Sequence, residues 1–296
     1  MIKEIEAKSL LRYNKRPSYW FGVHYYINIY RGCTHGCIYC DTRSECYGID
    51  NFDSDLEVKI NTIELLRKEI AKKRYRETIG FGSTSDPYIP LELKYELTRK
   101  SLMVIKEYRH PVFLLTKSNL VIRDLDLLCD INDQNYACVC FTITTANDEL
   151  AKKIEPNAPL PSKRFEAMSI LAAAGIKTGI IIMPMLPFIT DSVNNLTEIV
   201  EQANKCGASF IFPSYSVTLR DRQRQYFYDK IGPDLVKKYH SRYKEYYSCG
   251  TPNYAVLKRH FNDLCQKYNI SMEMPSYDKE NAKVQLNLFT NEKENL

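Results

Sequence analysis

From Tyr25 to about Tyr215 the sequence alternates six short β-rich runs with longer helical patterns, a rhythm that few architectures accept. The runs at 25–30, 78–82, 112–116, 136–144, 178–183 and 208–213 predict strands. Apolar residues at helical spacing predict helices over 62–74, 94–108, 123–130, 163–174 and 193–205, and Gly175 and Gly207 stop the last two. Six βα units with right-handed crossovers roll into an α/β fold, a partial (β/α)6 TIM-like barrel; a doubly wound open sheet fits the pattern too. Either one places polar equipment at the C-terminal ends of the strands. After Thr218 the pattern turns helical over 221–231, 233–247 and 253–268, with Pro233 and Pro252 in first-turn positions. The expected division is a lead-in (1–24), a core (25–218) and a helical C-terminal extension with a flexible polar tail (219–296).

Directly after the first strand candidate stands Cys33-Thr34-His35-Gly36-Cys37-Ile38-Tyr39-Cys40, three thiols on one short loop. A closed structural zinc site or a fully ligated iron–sulfur cluster takes four protein ligands. A [4Fe–4S] cluster held by Cys33, Cys37 and Cys40 would leave one iron open to a small molecule. Two other readings stand beside it: a zinc site completed by His24, His35 or Cys46, and plain thiols without metal.

Composition narrows the setting. Hydrophobic residues make up 44% of the 296, enough for a sizeable core. No stretch approaches the roughly 20 apolar residues that cross a bilayer, and the N-terminus lacks the apolar core of an export signal. Ten unevenly spaced cysteines without such a signal point to a reducing cytoplasm, not a disulfide scaffold. The net charge of +5 is uneven: Pro213 to His260 holds ten basic and four acidic residues. A concentrated basic segment suits a polyanionic partner, and solvated helix faces would give the same composition.

Several strand ends are polar. The second runs into Gly82-Ser83-Thr84-Ser85-Asp86-Pro87, where Ser85 or Asp86 can accept from a ligand ammonium. The third ends at Thr116-Lys117, where a buried lysine would pair with a carboxylate and a surface lysine would simply be solvated. In the fourth, period-two geometry puts Cys138, Cys140, Thr142 and Thr144 on the lumen face and Val139, Phe141 and Ile143 against helices. Thr142 and Thr144 can then bond a ribose or carboxylate, while the two cysteines fill space.

The cysteine loop, Ser83–Glu92, Leu115–Ser118, Phe141–Ile143, Glu155–Pro159 and Met183–Pro187, in that order, resemble the spore photoproduct lyase-related branch of the radical S-adenosylmethionine (SAM) superfamily over about two thirds of the chain. The resemblance implies a partial barrel of the radical SAM type and an enzyme whose [4Fe–4S] cluster, on Cys33, Cys37 and Cys40, cleaves SAM to a hydrogen-abstracting 5′-deoxyadenosyl radical. It also implies that Tyr39 lies against the adenine and that Ser85 and Asp86 hold the amino group or ribose. Lys117 would pair with the SAM carboxylate, Thr142 would contact the cofactor, and an external electron donor would be required. Two departures stand out. Spore photoproduct lyases carry a hydrogen-donating cysteine ahead of the Ser-Asp pair, where this chain has Ser83-Thr84. They also carry a tyrosine after the last cluster cysteine, where this chain has Asp41. Thymine-dimer reversal therefore does not carry over; Cys140 could donate hydrogen instead, though core packing suits it better.

Tyrosines 226, 228, 239, 243, 246, 247 and 254 interleave with the basic C-terminal residues, a pattern suited to nucleic acid or to packing on the barrel. Gln285-Leu286-Asn287-Leu288-Phe289 is similar to the short peptide by which repair proteins bind the DNA polymerase sliding clamp. The expectation is a cytosolic radical SAM enzyme acting on a nucleic acid, in repair or modification. The alternatives are one acting on a peptide, protein or small molecule, or a non-enzymatic zinc-bearing nucleic-acid binder.

Overall fold

Strand order separates the two architectures that the pattern allows. In the computed structural model, which describes residues 1–278, six parallel strands pair in the order in which the chain makes them. They are β1 (Tyr25–Ile27), β2 (Ile79–Phe81), β3 (Val112–Thr116), β4 (Ala137–Thr142), β5 (Lys177–Ile182) and β6 (Phe210–Pro213). A doubly wound sheet reverses at a central strand; here every strand adds on the same side, so the chain is singly wound. Arg12–Tyr13 pairs antiparallel with the outer edge of β1. Among the described residues no pairing closes β6 onto β1, and the sheet is an arc.

The longer helices between the strands are α1 (Thr62–Ile70), α2 (Leu97–Glu107), α3 (Leu125–Gln134), α4 (Pro161–Ala173) and α5 (Val193–Lys205), with shorter ones at Glu92–Tyr95 and Asp148–Ile154. Their apolar faces meet Val139, Phe141, Ile143, Ile180 and Ile182 in the main core. The opposite face of the sheet carries Phe113, Cys138, Cys140, Ile181 and Phe210, closed over by Phe21 and Val23. Phe21 stacks on Phe113 with ring centroids 4.5 Å apart. The alternation expected in β4 therefore holds, and Cys138 and Cys140 are packing residues.

The expected strand 25–30 divides. After β1 the chain turns at Asn28, whose carbonyl accepts from Lys59 Nζ (2.6 Å) and whose Oδ1 accepts from Ser83 Oγ (3.0 Å). Tyr30–Arg31 then pairs antiparallel with Leu56–Lys59, which pairs parallel with Ile2–Ile5. That small sheet aims the following cysteine loop across the strand ends.

Beyond the arc lie α6 (Asp221–Ile231), α7 (Pro233–Tyr243) and α8 (Tyr254–Tyr268). The α7 helix ends short of 247 because Lys244 takes φ +47°, and Ser248–Gly250 pairs with Ser216–Thr218 instead. Pro233 starts α7 as expected, but Pro252 precedes α8 and its cap residue Asn253 and takes no part in the first turn. Leu257, Phe261, Leu264 and Cys265 of α8 join the main core. Among the described residues no helix is long and apolar enough to cross a membrane. The segment Gln285–Phe289 lies outside the described residues.

Candidate active site

The eight residues assigned to the cluster and the cofactor line one cavity at the C-terminal ends of the strands: Cys33, Cys37, Tyr39, Cys40, Ser85, Asp86, Lys117 and Thr142. Thr144, expected beside Thr142, does not line it and donates to Glu155 Oε1 (3.3 Å) instead. Gly82, Leu115, Ile181 and Met183 complete its inner wall. Gly82 is held at φ +88°, and a Cβ there would lie 2.0 Å from the Leu115 carbonyl oxygen, so the turn that leads into Ser85 and Asp86 needs glycine.

The cysteine loop is pinned from three sides. Cys33 N–H donates to Phe52 O (3.2 Å), and Ile38 N–H to Ile154 O (2.9 Å). Asn157 N–H donates to His35 O (3.1 Å), and Gly36, at φ +69°, lets the loop close on Pro156 and Asn157. Behind the loop, Arg43 donates to Cys37 O (3.2 Å), grips both Asp53 oxygens (2.5 and 2.6 Å) and stacks on Tyr226 at 3.9 Å. Gln223 of α6 donates to Tyr39 O (3.3 Å). A loop held this firmly keeps its side chains in place before any ligand arrives.

Ser85 Oγ donates to Gly32 O (2.6 Å) and keeps its lone pairs for a ligand. Asp86 accepts from Thr116 Oγ1 (2.7 Å), Tyr88 N–H (2.9 Å) and Lys117 N–H (2.7 Å), and lies 3.2 Å from His35 Nε2. Burial pushes its carboxyl up, but His35 and the Lys117 and Thr116 donors outweigh that and hold it at about 2. The pair thus ties the cysteine loop to the ends of β2 and β3.

Sequence reasoning missed a buried charged group beneath the loop. Glu155 accepts from Tyr39 OH and from Arg164, which also donates to Thr142 O (2.9 Å) and Pro159 O (2.7 Å). Burial raises the Glu155 carboxyl, yet Arg164 and Lys117 bring it below the usual range. Glu155-Pro156-Asn157 was visible only as a piece of a resemblance; nothing local marks Arg164, nine residues on, as its partner. The ammonium of Lys117 lies 5.6 Å from the Tyr39 ring centroid and, among the described residues, makes no ion pair within 4 Å. Burial disfavours its charge, but the Cys37 sulfur, once deprotonated, and the Glu155 carboxylate more than restore it, so Lys117 faces the cavity as a cation when the cysteine is a thiolate.

Burial also pushes the Cys37 thiol up to about 12 and raises Cys33, so unligated they are neutral, and metal binding would take their protons. Among the described residues no three His, Cys, Asp or Glu side chains converge on a point that could hold a single ion. Of the three groups that could complete a zinc site, His24 Nδ1 lies 2.8 Å from Gly22 O and 3.1 Å from Glu77 and Cys46 lies beside Ser44, neither of them on this cavity. His35 lines it but lies against Asp86 at 3.2 Å. The donor set fits a polynuclear cluster better than a lone zinc: three thiols, a buried cation and hydrogen-bonding groups line the same cavity. Cys138 and Cys140 do not line the cavity.

A family model for the radical SAM superfamily matches residues 27–200, more than half the chain. An uncharacterized protein of Mycobacterium tuberculosis is 30% identical over 282 residues, covering 90% of this chain and 81% of that one. A radical SAM Nalpha-GlyT isomerase of Pseudomonas phage M6 is 26% identical over 217 residues, covering 72% of this chain and 44% of its own length. Among solved structures, a spore photoproduct lyase variant with bound AdoMet and dinucleoside spore photoproduct superposes with TM-score 0.65 at 16% identity, over 93% of this chain and 80% of that one.

Proposed function

The chain belongs to the radical SAM superfamily, and from that premise we propose that it abstracts hydrogen from a nucleic acid in a DNA repair or modification reaction, in the cytosol. Enzymes of this superfamily use a [4Fe–4S] cluster and SAM, and this chain is an enzyme of that class. When bound, the reduced cluster supplies the electron that cleaves SAM and yields a 5′-deoxyadenosyl radical.

The residues divide the remaining work. Cys33, Cys37 and Cys40 would hold three irons. Lys117, a cation without a carboxylate partner among the described residues, would take the SAM carboxylate, and Ser85 Oγ would accept from its ammonium. Asp86 would hold the cysteine loop through His35 and bring its accepting oxygens to the same ammonium or the ribose. Tyr39, fixed by Glu155, would set the wall against the adenine, and Thr142 would bond the cofactor from the end of β4. Met183, Ile181 and Leu115 keep water from the inner side.

The observation that carries the cofactor reading is the convergence of those eight residues on one cavity. The nucleic-acid reading is supported by the fold shared with a lyase that holds a dinucleoside, and by the net charge of +5. Part of the basic C-terminal segment works internally: Arg222 donates to Arg43 O and Ile49 O, and Arg224 to the carbonyls of Leu219, Lys244, Glu245 and Tyr246. Tyr239 and Tyr243 are buried, while Tyr246, Tyr247 and Tyr254 stay exposed. The test is 5′-deoxyadenosine release by the reduced, reconstituted protein with single-stranded DNA, duplex DNA, RNA or a peptide library. A several-fold rise with a nucleic acid supports the reading. A rise with peptides alone would replace it.

A further inference from the structure

A second cavity, of about 310 Å³, adjoins the first and shares Thr42 and Thr84 with it. Its lining holds Arg12, Arg31 and Lys59 and no carboxylate. Arg31 is partly neutralised by Glu57 at 3.2 Å and by the carbonyls of Tyr47 and Gly48. Among the described residues Lys59 donates to the Asn28 carbonyl and feels Glu57 at longer range, and Arg12 makes no side-chain hydrogen bond or ion pair. Three cations around one opening repel one another: Lys59 is shifted below its ordinary value by burial and by Arg12 and Arg31, which together outweigh Glu57. Such an arrangement costs stability unless an anion occupies it.

The charge sits on the turn that aims the cysteine loop. Arg31 and Gly32 lead directly into Cys33, and Asn28, which holds Lys59, also holds Ser83 on the rim of the first cavity. Tyr47, on the wall of the second cavity, faces the Arg220 guanidinium at 5.8 Å, and the half-exposed Tyr247 lies on that guanidinium at 5.4 Å. A phosphate seat with flat aromatic and guanidinium surfaces beside it matches two alternating features of a nucleotide chain.

We propose that Arg12, Arg31 and Lys59 form a phosphodiester seat, which holds the backbone of the nucleic-acid substrate beside the nucleotide presented to the SAM cavity. This rests on the nucleic-acid reading above and names where the strand is gripped. A phosphate of a free nucleotide or an acidic peptide has related chemistry, so both serve as competing probes.

The experiment is fluorescence anisotropy of a short labelled single-stranded DNA on the full chain, titrated between roughly 50 and 200 mM salt. The variants are Arg12→Gln and Arg12→Gln/Lys59→Gln, with circular dichroism to confirm that each folds. Each lost phosphate contact should lower the slope of log K against log salt by about 0.7. The double variant should bind several-fold more weakly at low salt. Affinities and slopes equal to those of the unaltered chain would overturn the seat while leaving the nucleic-acid reading intact. No DNA or RNA binding by the unaltered chain would overturn both. Displacement of the DNA by a mononucleotide or by polyglutamate at equal charge concentration would assign the seat to those ligands, and overturn the proposal.

Discussion

The two ends of the inner sheet face obey different physics, although the same strands build both. Along β3 the inward positions run Phe113, Leu115, Lys117, and along β4 they run Cys138, Cys140, Thr142. At one end Phe21, Phe113 and Phe210 close a dry aromatic plug. At the other, within two residues along each strand, buried charges and thiols face a cavity. The plug derives its stability from area removed from water. The site has to keep Glu155, Arg164, Asp86 and Lys117 ionised with little water, which succeeds only where each carboxylate is fully bonded.

The contrast predicts opposite failures. Glu155→Ala strands Arg164 in the interior and should cost about 3–5 kcal/mol, read as a lowered urea midpoint. It should also loosen Tyr39 and impair cluster loading. Phe113→Ala should cost about 3–4 kcal/mol by opening a void against Phe21, yet leave iron content per folded chain unchanged. If the plug variant loses iron and the charge variant does not, the division between the two ends is wrong.

Smaller effects sharpen it. Lys117→Met should weaken SAM binding about tenfold or more, the worth of one charge-assisted bond, with the cluster still loaded. Calorimetric titration of SAM would show it, and an unchanged affinity would remove Lys117 from the cofactor. Asp86 is held at about 2 when folded, against 3.8 for a free side chain. A depressed carboxylate contributes stability above its unfolded value and loses it as pH falls through the folded one. The apo chain should therefore lose of order 2 kcal/mol between about pH 4 and pH 2 through this group. Asp86→Asn should flatten that acid limb; an unaltered limb would show that the coupling to His35 contributes little.

Much of this was legible before the structure because its signals are local. Period-two alternation placed Thr142 inward and Val139 outward, and Gly175 and Gly207 ended α4 and α5 where positive φ was needed. The cysteine spacing located the site. What stayed hidden was non-local. No periodicity announces that the chain pivots at Asn28 into a second sheet, because the deciding bonds come from Lys59 and Ser83, far along the sequence. The partnership of Arg164 with Glu155 and Tyr39 is likewise decided by packing. Arg220, Arg222 and Arg224 looked like a surface charge run, yet Arg220 pairs with Asp41 at 2.7 Å and the other two bond backbone carbonyls. Composition cannot tell a solvated arginine from one that bridges two segments.

The most direct test of the account is anaerobic reconstitution of the full chain with iron and sulfide, beside Cys37→Ala, followed by reduction in the presence of SAM. The expected result is about four irons and four sulfides per chain, broad absorbance near 400 nm and 5′-deoxyadenosine release, all lost in the variant. One zinc per chain without sulfide, or 5′-deoxyadenosine release that survives Cys37→Ala, would contradict it.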